Sequence, residues 1–390
     1  MDPYYVIYFY IIAFIIIWIL AILFKDKLKL DVNGPLIMRR TGRLRGLIDS
    51  IAQKSPRFWK ILMNIGIPVA VFFMGYTLYA IILASTMIFQ SPQVVPILPG
   101  VDYAGNPFYL PLGYGLIGLA TVIVIHEFAH GILARAEGVK IKSIGVLLLT
   151  ILPGAFVEPD EEEVEKLSRL EKIRIYAAGS IFNIGTAAIA LGILFVLSNF
   201  LIPASFHSDG IVITSVVPKS PSDGVLNEGM IIYNVNGQNV KNLTDYVNIR
   251  TNTKIGDELT LITNQGTFTI KLTPNPNNST IAYAGFRTDD HLVVNQNVAN
   301  TYGNVLPWIL FYLKELFYWV GLLNLAIGTI NLLPMKPLDG GLIFEELLGY
   351  KLSKEQVKPI VNTVSYVLIA ILIVNITYAV GRGILLNLPV

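Results

Sequence analysis

The sequence predicts a polytopic α-helical membrane protein of about six transmembrane helices, with a small β-rich soluble domain inserted between the fourth and fifth spans. Two observations predict this class. Hydrophobic residues make up 53% of the 390 and charged residues 14%, with a mean hydropathy of +0.59, a balance foreign to water-soluble domains. The apolar residues also fall into six runs long enough to cross a bilayer, which takes about 20 residues, and one long polar interval separates the fourth run from the fifth. The formal net charge of +2 is too small to suggest a nucleic-acid partner. There are no cysteines, so only His, Asp or Glu could hold a metal.

Val6 to Phe24 is nearly free of polar groups and is followed by Lys25, Lys27 and Lys29. A secretory signal carries its charge ahead of the apolar run and ends in small residues. This stretch does neither, so it reads as a retained anchor with its N-terminus outside. Lys25 to Lys60, with Arg39, Arg40, Arg43 and Arg45, is the densest basic region. It reads as a cytoplasmic topology determinant, in preference to a polybasic lipid or nucleic-acid site. Leu62 to Phe89 is a second span, and Gln90 to Pro111, without Lys or Arg, an outside loop.

Leu112 to Arg135 is the third span, and it carries the polar residues around which the chain is organised. Residues four apart share a helix face, so His126 and His130 can offer two imidazoles to one metal, with Glu127 beside them. A hydrolytic metal site needs neutral nitrogen ligands, an open position for water and a carboxylate that takes the proton of that water. A polar packing contact between helices is the alternative. Against it, the chain has only four His, and ionisable groups inside an apolar segment are costly and usually functional. At 1.5 Å per residue, His126 lies about 20 Å from the outer end of the span, in the inner half of a hydrocarbon layer about 30 Å thick.

Ser143 to Val157 is apolar but short and broken by Pro153 and Gly154. It reads as a re-entrant or interfacial β-like segment buried against protein, or as a packed loop. In the first case the exposed edge of this segment could pair with an extended substrate peptide, with Gly145, Val146 and Leu147 as the candidate residues. Ile173 to Leu201 is the fourth span and contains AAGSIFN, Ala177 to Asn183. The amide of Asn183 could join two helices or, facing a metal, hold a substrate carbonyl or its oxyanion. From Ser205 to about Thr288 the chain is polar, with short β-type runs between Pro, Gly and Asn, and its position after the fourth span puts it outside.

Val305 to about Ile330 is the fifth span and Pro359 to Leu386 the sixth. Between them, Pro334 and Pro337 in NLLPMKPLDGG, Asn331 to Gly341, forbid a continuous helix. Asp339 is either a turn or cap residue or the third metal ligand, at the inner level of His130. The expected divisions are 1–61, an anchor and basic segment; 62–204, the first catalytic part; 205–288, the soluble domain; and 289–390, the second catalytic part.

HEFAH at His126 to His130, AAGSIFN and NLLPMKPLDGG, in this order around an inserted domain, resemble the site-2 protease family of intramembrane zinc metalloproteases. That resemblance implies His126, His130 and Asp339 as ligands of one zinc ion per chain, Glu127 as general base and Asn183 near the substrate. Asn331, Pro334 and Pro337 would shape the loop carrying the aspartate, with Asn331 also at the substrate. Ser180 stands where the family often has proline. The insert, above all Ser220 to Ile249, is similar to a PDZ domain, which would filter substrates outside the membrane. The expected activity is hydrolysis of peptide bonds in transmembrane helices of membrane-anchored regulatory proteins. The expected setting is the cell membrane, with the N-terminus and the PDZ-like domain extracytoplasmic and the active site in the cytoplasmic half of the bilayer. The competing expectation is a non-catalytic scaffold or chaperone for transmembrane helices.

Overall fold

The computed structural model describes residues 3–42, 44–88, 98–101, 109–149, 152–276 and 278–386. Most of the loop expected at Gln90 to Pro111 lies outside these residues. The chain divides into two compact units, one of Met1–Leu194 with Glu315–Val390 and one of Phe195–Lys314.

The first unit opens with α1 (Pro3–Leu23), which has no charged residue along its length, and the short α2 (Lys25–Leu28). The basic segment then folds as an antiparallel hairpin of β1 (Asp31–Asn33) and β2 (Leu36–Thr41). Next come α3 (Arg45–Lys54), the long α4 (Pro56–Thr86) and α5 (Leu112–Ala136), which carries the His-Glu-His cluster. After α5 the chain turns into β3 (Ile141–Leu149) and β4 (Leu152–Pro159), an antiparallel pair. The four strands form one sheet in the order β1-β2-β3-β4. Helix α6 (Glu161–Glu165) follows, its N-terminus capped by the Asp160 carboxylate, which accepts from the Glu162 and Glu163 amides. Then comes α7 (Arg169–Val196).

This sheet corrects one expectation. Gly145, Val146 and Leu147 lie on β3, and both edges of β3 are already paired: with Arg40, Arg39 and Met38 of β2 on one side, and with Phe156, Ala155 and Gly154 of β4 on the other. Their backbone is therefore closed to an incoming peptide. Among the described residues the free edges belong to β1 and β4, because the N-terminal hairpin saturates the strand that sequence alone leaves open.

The second unit begins with a π-helical turn (Leu197–Leu201) and α8 (Ile202–Ser205). Its main sheet has the order β12-β5-β6-β8-β9, with β7 attached to β6. These strands are β5 (Phe206–Val216), β6 (Ile231–Val235), β7 (Gln238–Asn239), β8 (Glu258–Thr263), β9 (Gly266–Lys271) and β12 (Phe286–Val294). A separate pair joins β10 (Thr273–Asn275) to β11 (Asn278–Tyr283). Helix α9 (Leu243–Thr251) starts at Asn242, whose side chain accepts from the Asp245 amide, and α10 (Gln296–Tyr302) follows the last strand. Alternating residues Ile211, Ile213, Leu259 and Leu261 are wholly buried with Ile232 and Leu226. This is the period-2 signature of strands with one face on a core. Strand β12 carries the sheet past Thr288, the end expected from composition.

The chain continues through α11 (Val305–Ile330), α12 (Asp339–Leu348) and α13 (Lys354–Leu386). Among the described residues, five helices are long and apolar enough to cross a membrane: Pro56–Thr86, Leu112–Ala136, Arg169–Ser205, Val305–Ile330 and Lys354–Ala379. With the uncharged α1 as a further apolar helix, the molecule is a multi-pass membrane protein.

Candidate metal centre

Two imidazoles one helical turn apart on α5 meet a carboxylate from the first residue of α12. His126 Nε2 and His130 Nε2 are 3.2 Å apart, and Asp339 Oδ2 lies 3.2 Å from the first and 3.4 Å from the second. The three side chains are only 12–15% exposed. Three lone-pair-bearing atoms facing one point in a buried place repel unless a cation lies among them. Tetrahedral zinc with bonds of about 2.0–2.1 Å holds its ligands roughly 3.3 Å apart. The observed spacings fit that figure, and the donor set of two imidazoles and a carboxylate leaves a fourth position for a reactant.

The loop before α12 is what delivers Asp339. The Gly340 amide donates to the Asn331 carbonyl at 2.8 Å. A Cβ on Gly340 would fall 2.2 Å from the carbonyl oxygens of Leu332 and Leu333, both wholly buried residues. Only glycine permits this backbone-to-backbone approach, which anchors the aspartate one residue earlier in the chain.

On α7, Gly179, Ser180 and Asn183 of AAGSIFN each meet the centre differently. A Cβ on Gly179 would fall 2.5 Å from both His126 Cε1 and His130 Nε2, so glycine is the condition for α7 to lie against the imidazoles. Ser180 Oγ lies 3.4 Å from Asp339 Oδ2. Asn183, one turn after Gly179, has its amide 3.2 Å from His126 Nδ1.

The ring nitrogens turned away from the centre decide which tautomer is available. His130 Nδ1 stands 2.8 Å from the Ile175 carbonyl, an acceptor, so its proton sits there and Nε2 keeps a free lone pair. For His126 the same state requires an acceptor at Nδ1. Asn183 Oδ1 is buried with no partner of its own among the described residues. Turning the amide so that Oδ1 faces Nδ1 satisfies both groups at once. Asn183 is wholly buried, with His126 as its neighbour.

Glu127 is set apart from the three clustered groups. Its Oε2 accepts from the Val157 amide of β4 at 3.2 Å. The Val157 amide points away from β3, so the free edge of β4 passes directly by this carboxylate. A cavity of about 710 Å³ opens on the centre, lined by His126, Glu127, His130, Asp339 and Asn331 with β4 residues Val157 and Glu158. Asn331 thus lies where a substrate chain could reach it. Gly145 and Val146 line a neighbouring cavity, and Leu147 lines neither. Sequence reasoning missed the Ile175 carbonyl and the Val157 amide, which are backbone groups without a residue-type signal. The i, i+4 spacing of Gly179 and Asn183 was the available clue to a face turned toward the histidines.

Residues 114–372 match peptidase family M50. The chain belongs to this family. The matched region contains all of the residues just described, and the M50 peptidase is a membrane metalloprotease of the site-2 protease type that acts on membrane proteins. It is 26% identical over 360 residues to an uncharacterised protein of Methanocaldococcus jannaschii, covering 85% of this chain and 82% of that one. It is 28% identical over 138 residues to a membrane-bound transcription factor site-2 protease homolog of Arabidopsis thaliana, covering 35% of this chain and 27% of that protein. A PDZ domain of the SdrC-like protein of Listeria innocua is 24% identical, with a TM-score of 0.19, over 21% of this chain and 94% of that domain.

Proposed function

We propose that this M50 peptidase is a zinc metalloendopeptidase that cleaves peptide bonds within transmembrane segments of membrane-anchored regulatory proteins. One observation carries the reading: His126, His130 and Asp339 stand at tetrahedral ligand spacing with Glu127 and an unpaired strand edge beside them. Zinc, when bound there, would polarise the scissile carbonyl and lower the pKa of water towards neutrality. Glu127 accepts the proton of the attacking water and passes it to the leaving amine. Asn183 and the Ile175 carbonyl hold the imidazoles in the tautomer that ligates.

A transmembrane helix hides its carbonyls in its own hydrogen bonds, so the substrate unwinds before attack. The free edge of β4 is the surface that compensates the backbone groups it releases. The basic residues of α2 to α3 support placing this end of the centre on the cytoplasmic side. The N-terminus and the β-rich unit are then extracytoplasmic, where a PDZ-like unit would screen the ectodomains of substrates.

The test compares purified wild type with Glu127→Gln, measuring zinc content and cleavage of a helical transmembrane reporter. Both proteins are expected to hold one zinc per chain, and only the wild type to cleave. Zinc-loaded wild type inert on several reporters would favour a helix-binding scaffold, and wild type without stoichiometric zinc would sink the metal centre.

A further inference from the structure

A second cavity, of about 760 Å³, lies between α5 and the four-stranded sheet, lined by Glu127 and Phe128 of α5, Val146 of β3, and Ala155 and Val157 of β4. It shares Glu127, Phe156 and Val157 with the cavity of the metal centre, so β4 runs from one space into the other past the carboxylate. Four cations line it as well: Lys27, Lys29, Arg39 and Arg40. Glu127 is the single acid among the described lining residues. Arg40 is engaged, 2.6 Å from Asp31 and with its guanidinium 5.9 Å from the centre of the Phe156 ring. Among the described residues no carboxylate pairs with Lys27, Lys29 or Arg39.

A topology signal requires only that basic residues lie on one side of the membrane. It does not require residues from α2 and β2 to meet in one cavity that reaches Glu127. We propose that this cavity is a substrate subsite, and that Lys27, Lys29 and Arg39 select chains bearing acidic side chains on one side of the cleaved bond. The inference rests on the peptidase reading above. A peptide seated along the free edge of β4 extends from the metal centre into this space, where uncompensated positive charge favours carboxylates and disfavours basic segments. One side of this wall is β4, whose free edge offers backbone hydrogen bonds to a peptide and nothing comparable to an acyl chain. A peptide is therefore favoured over an anionic lipid as the occupant.

The experiment uses the full chain, zinc-loaded, in neutral phosphatidylcholine vesicles, with two transmembrane reporters identical except for Glu or Gln at the residues flanking the cleaved segment. The wild type is expected to cleave the Glu reporter with kcat/KM about tenfold higher, the gap narrowing as salt is raised. The triple variant Lys27→Gln, Lys29→Gln, Arg39→Gln is expected to bring the ratio to about one. Equal cleavage of both reporters by the wild type overturns the proposal, as does a preference that survives in the triple variant. A variant that slows both reporters alike, and only when phosphatidylserine is present, assigns the cations to the lipid surface instead. Should the wild type cleave neither reporter, the peptidase reading fails. Fluorescence anisotropy then still decides the subsite: tighter binding of the Glu reporter, lost in the triple variant, upholds it, and equal binding ends it.

Discussion

Asn183 contributes to the centre through a hydrogen bond to a ligand, and its substitution separates positioning from packing. Asn183→Leu keeps the branched outline and the number of heavy atoms but leaves His126 Nδ1 facing an apolar side chain, so the tautomer with a free Nε2 is no longer favoured. Loss of such a supporting contact typically costs 10–100-fold in metal affinity. We expect a fall of roughly that size in zinc affinity, read by competition with a chelating dye, and substantial recovery in Asn183→Asp, whose carboxylate also accepts from Nδ1. A variant that binds zinc as tightly as wild type would refute the assignment. Gly179 belongs to the same face for a steric reason, since any Cβ there meets both imidazoles. Ser180, the departure from the family's frequent proline, points its hydroxyl toward Asp339. The position is thus in contact with the centre, and its change of identity leaves the three ligating groups in place.

At the scale of elements, the strand that matters is β4, the second half of the stretch Ser143 to Val157, and not the β3 residues Gly145, Val146 and Leu147 singled out from the sequence. The Val157 amide turns out toward Glu127, and strand alternation gives Ala155 the same outward amide. Ala155→Pro should therefore remove a donor from the free edge while sparing the ladder to β3. One backbone hydrogen bond contributes about 0.5–1.5 kcal/mol. Cleavage of a transmembrane reporter should accordingly fall up to about tenfold in kcat/KM, with zinc content unchanged. Undiminished cleavage by this variant would show that the substrate does not pair along β4. The N-terminal hairpin gains a structural purpose from the same sheet, because β2 covers the edge of β3 that would otherwise be open to unspecific pairing.

Across the transmembrane unit, an ion-pair network around one buried carboxylate ties three helices together. The Glu137 side chain, at the end of α5, is wholly buried and lies 2.9 Å from Arg174 of α7 and 2.8 Å from Lys60 of α4. Removing one partner from a buried pair leaves an uncompensated charge and costs about 3–5 kcal/mol. Glu137→Ala should destabilise the protein by about that amount, measured by denaturation in detergent micelles. A shift near zero would mean that water reaches Arg174 and Lys60 freely. Because α5 and α7 carry the histidines and the residues that hold them, the same variant should also bind zinc less tightly than wild type.

Composition and hydrophobic run length were enough to read the polytopic helical class, since a bilayer crossing demands about 20 apolar residues and nothing else in the chain supplies such runs. The helical spacing of His126 and His130 likewise made a metal-binding face legible, because neighbours on one helix are set by the 3.6-residue turn alone. Asp339 was legible only as a candidate, for its distance from the histidines depends on how the loop from Asn331 packs against α12. The partner of His126, the free edge of β4 and the cavity that gathers Lys27, Lys29 and Arg39 were decided by the tertiary structure. Each of these joins residues far apart in the chain, or backbone groups common to every residue type. Local sequence pattern specifies neither, and only the packing of helices and strands brings them within hydrogen-bonding and Coulomb range.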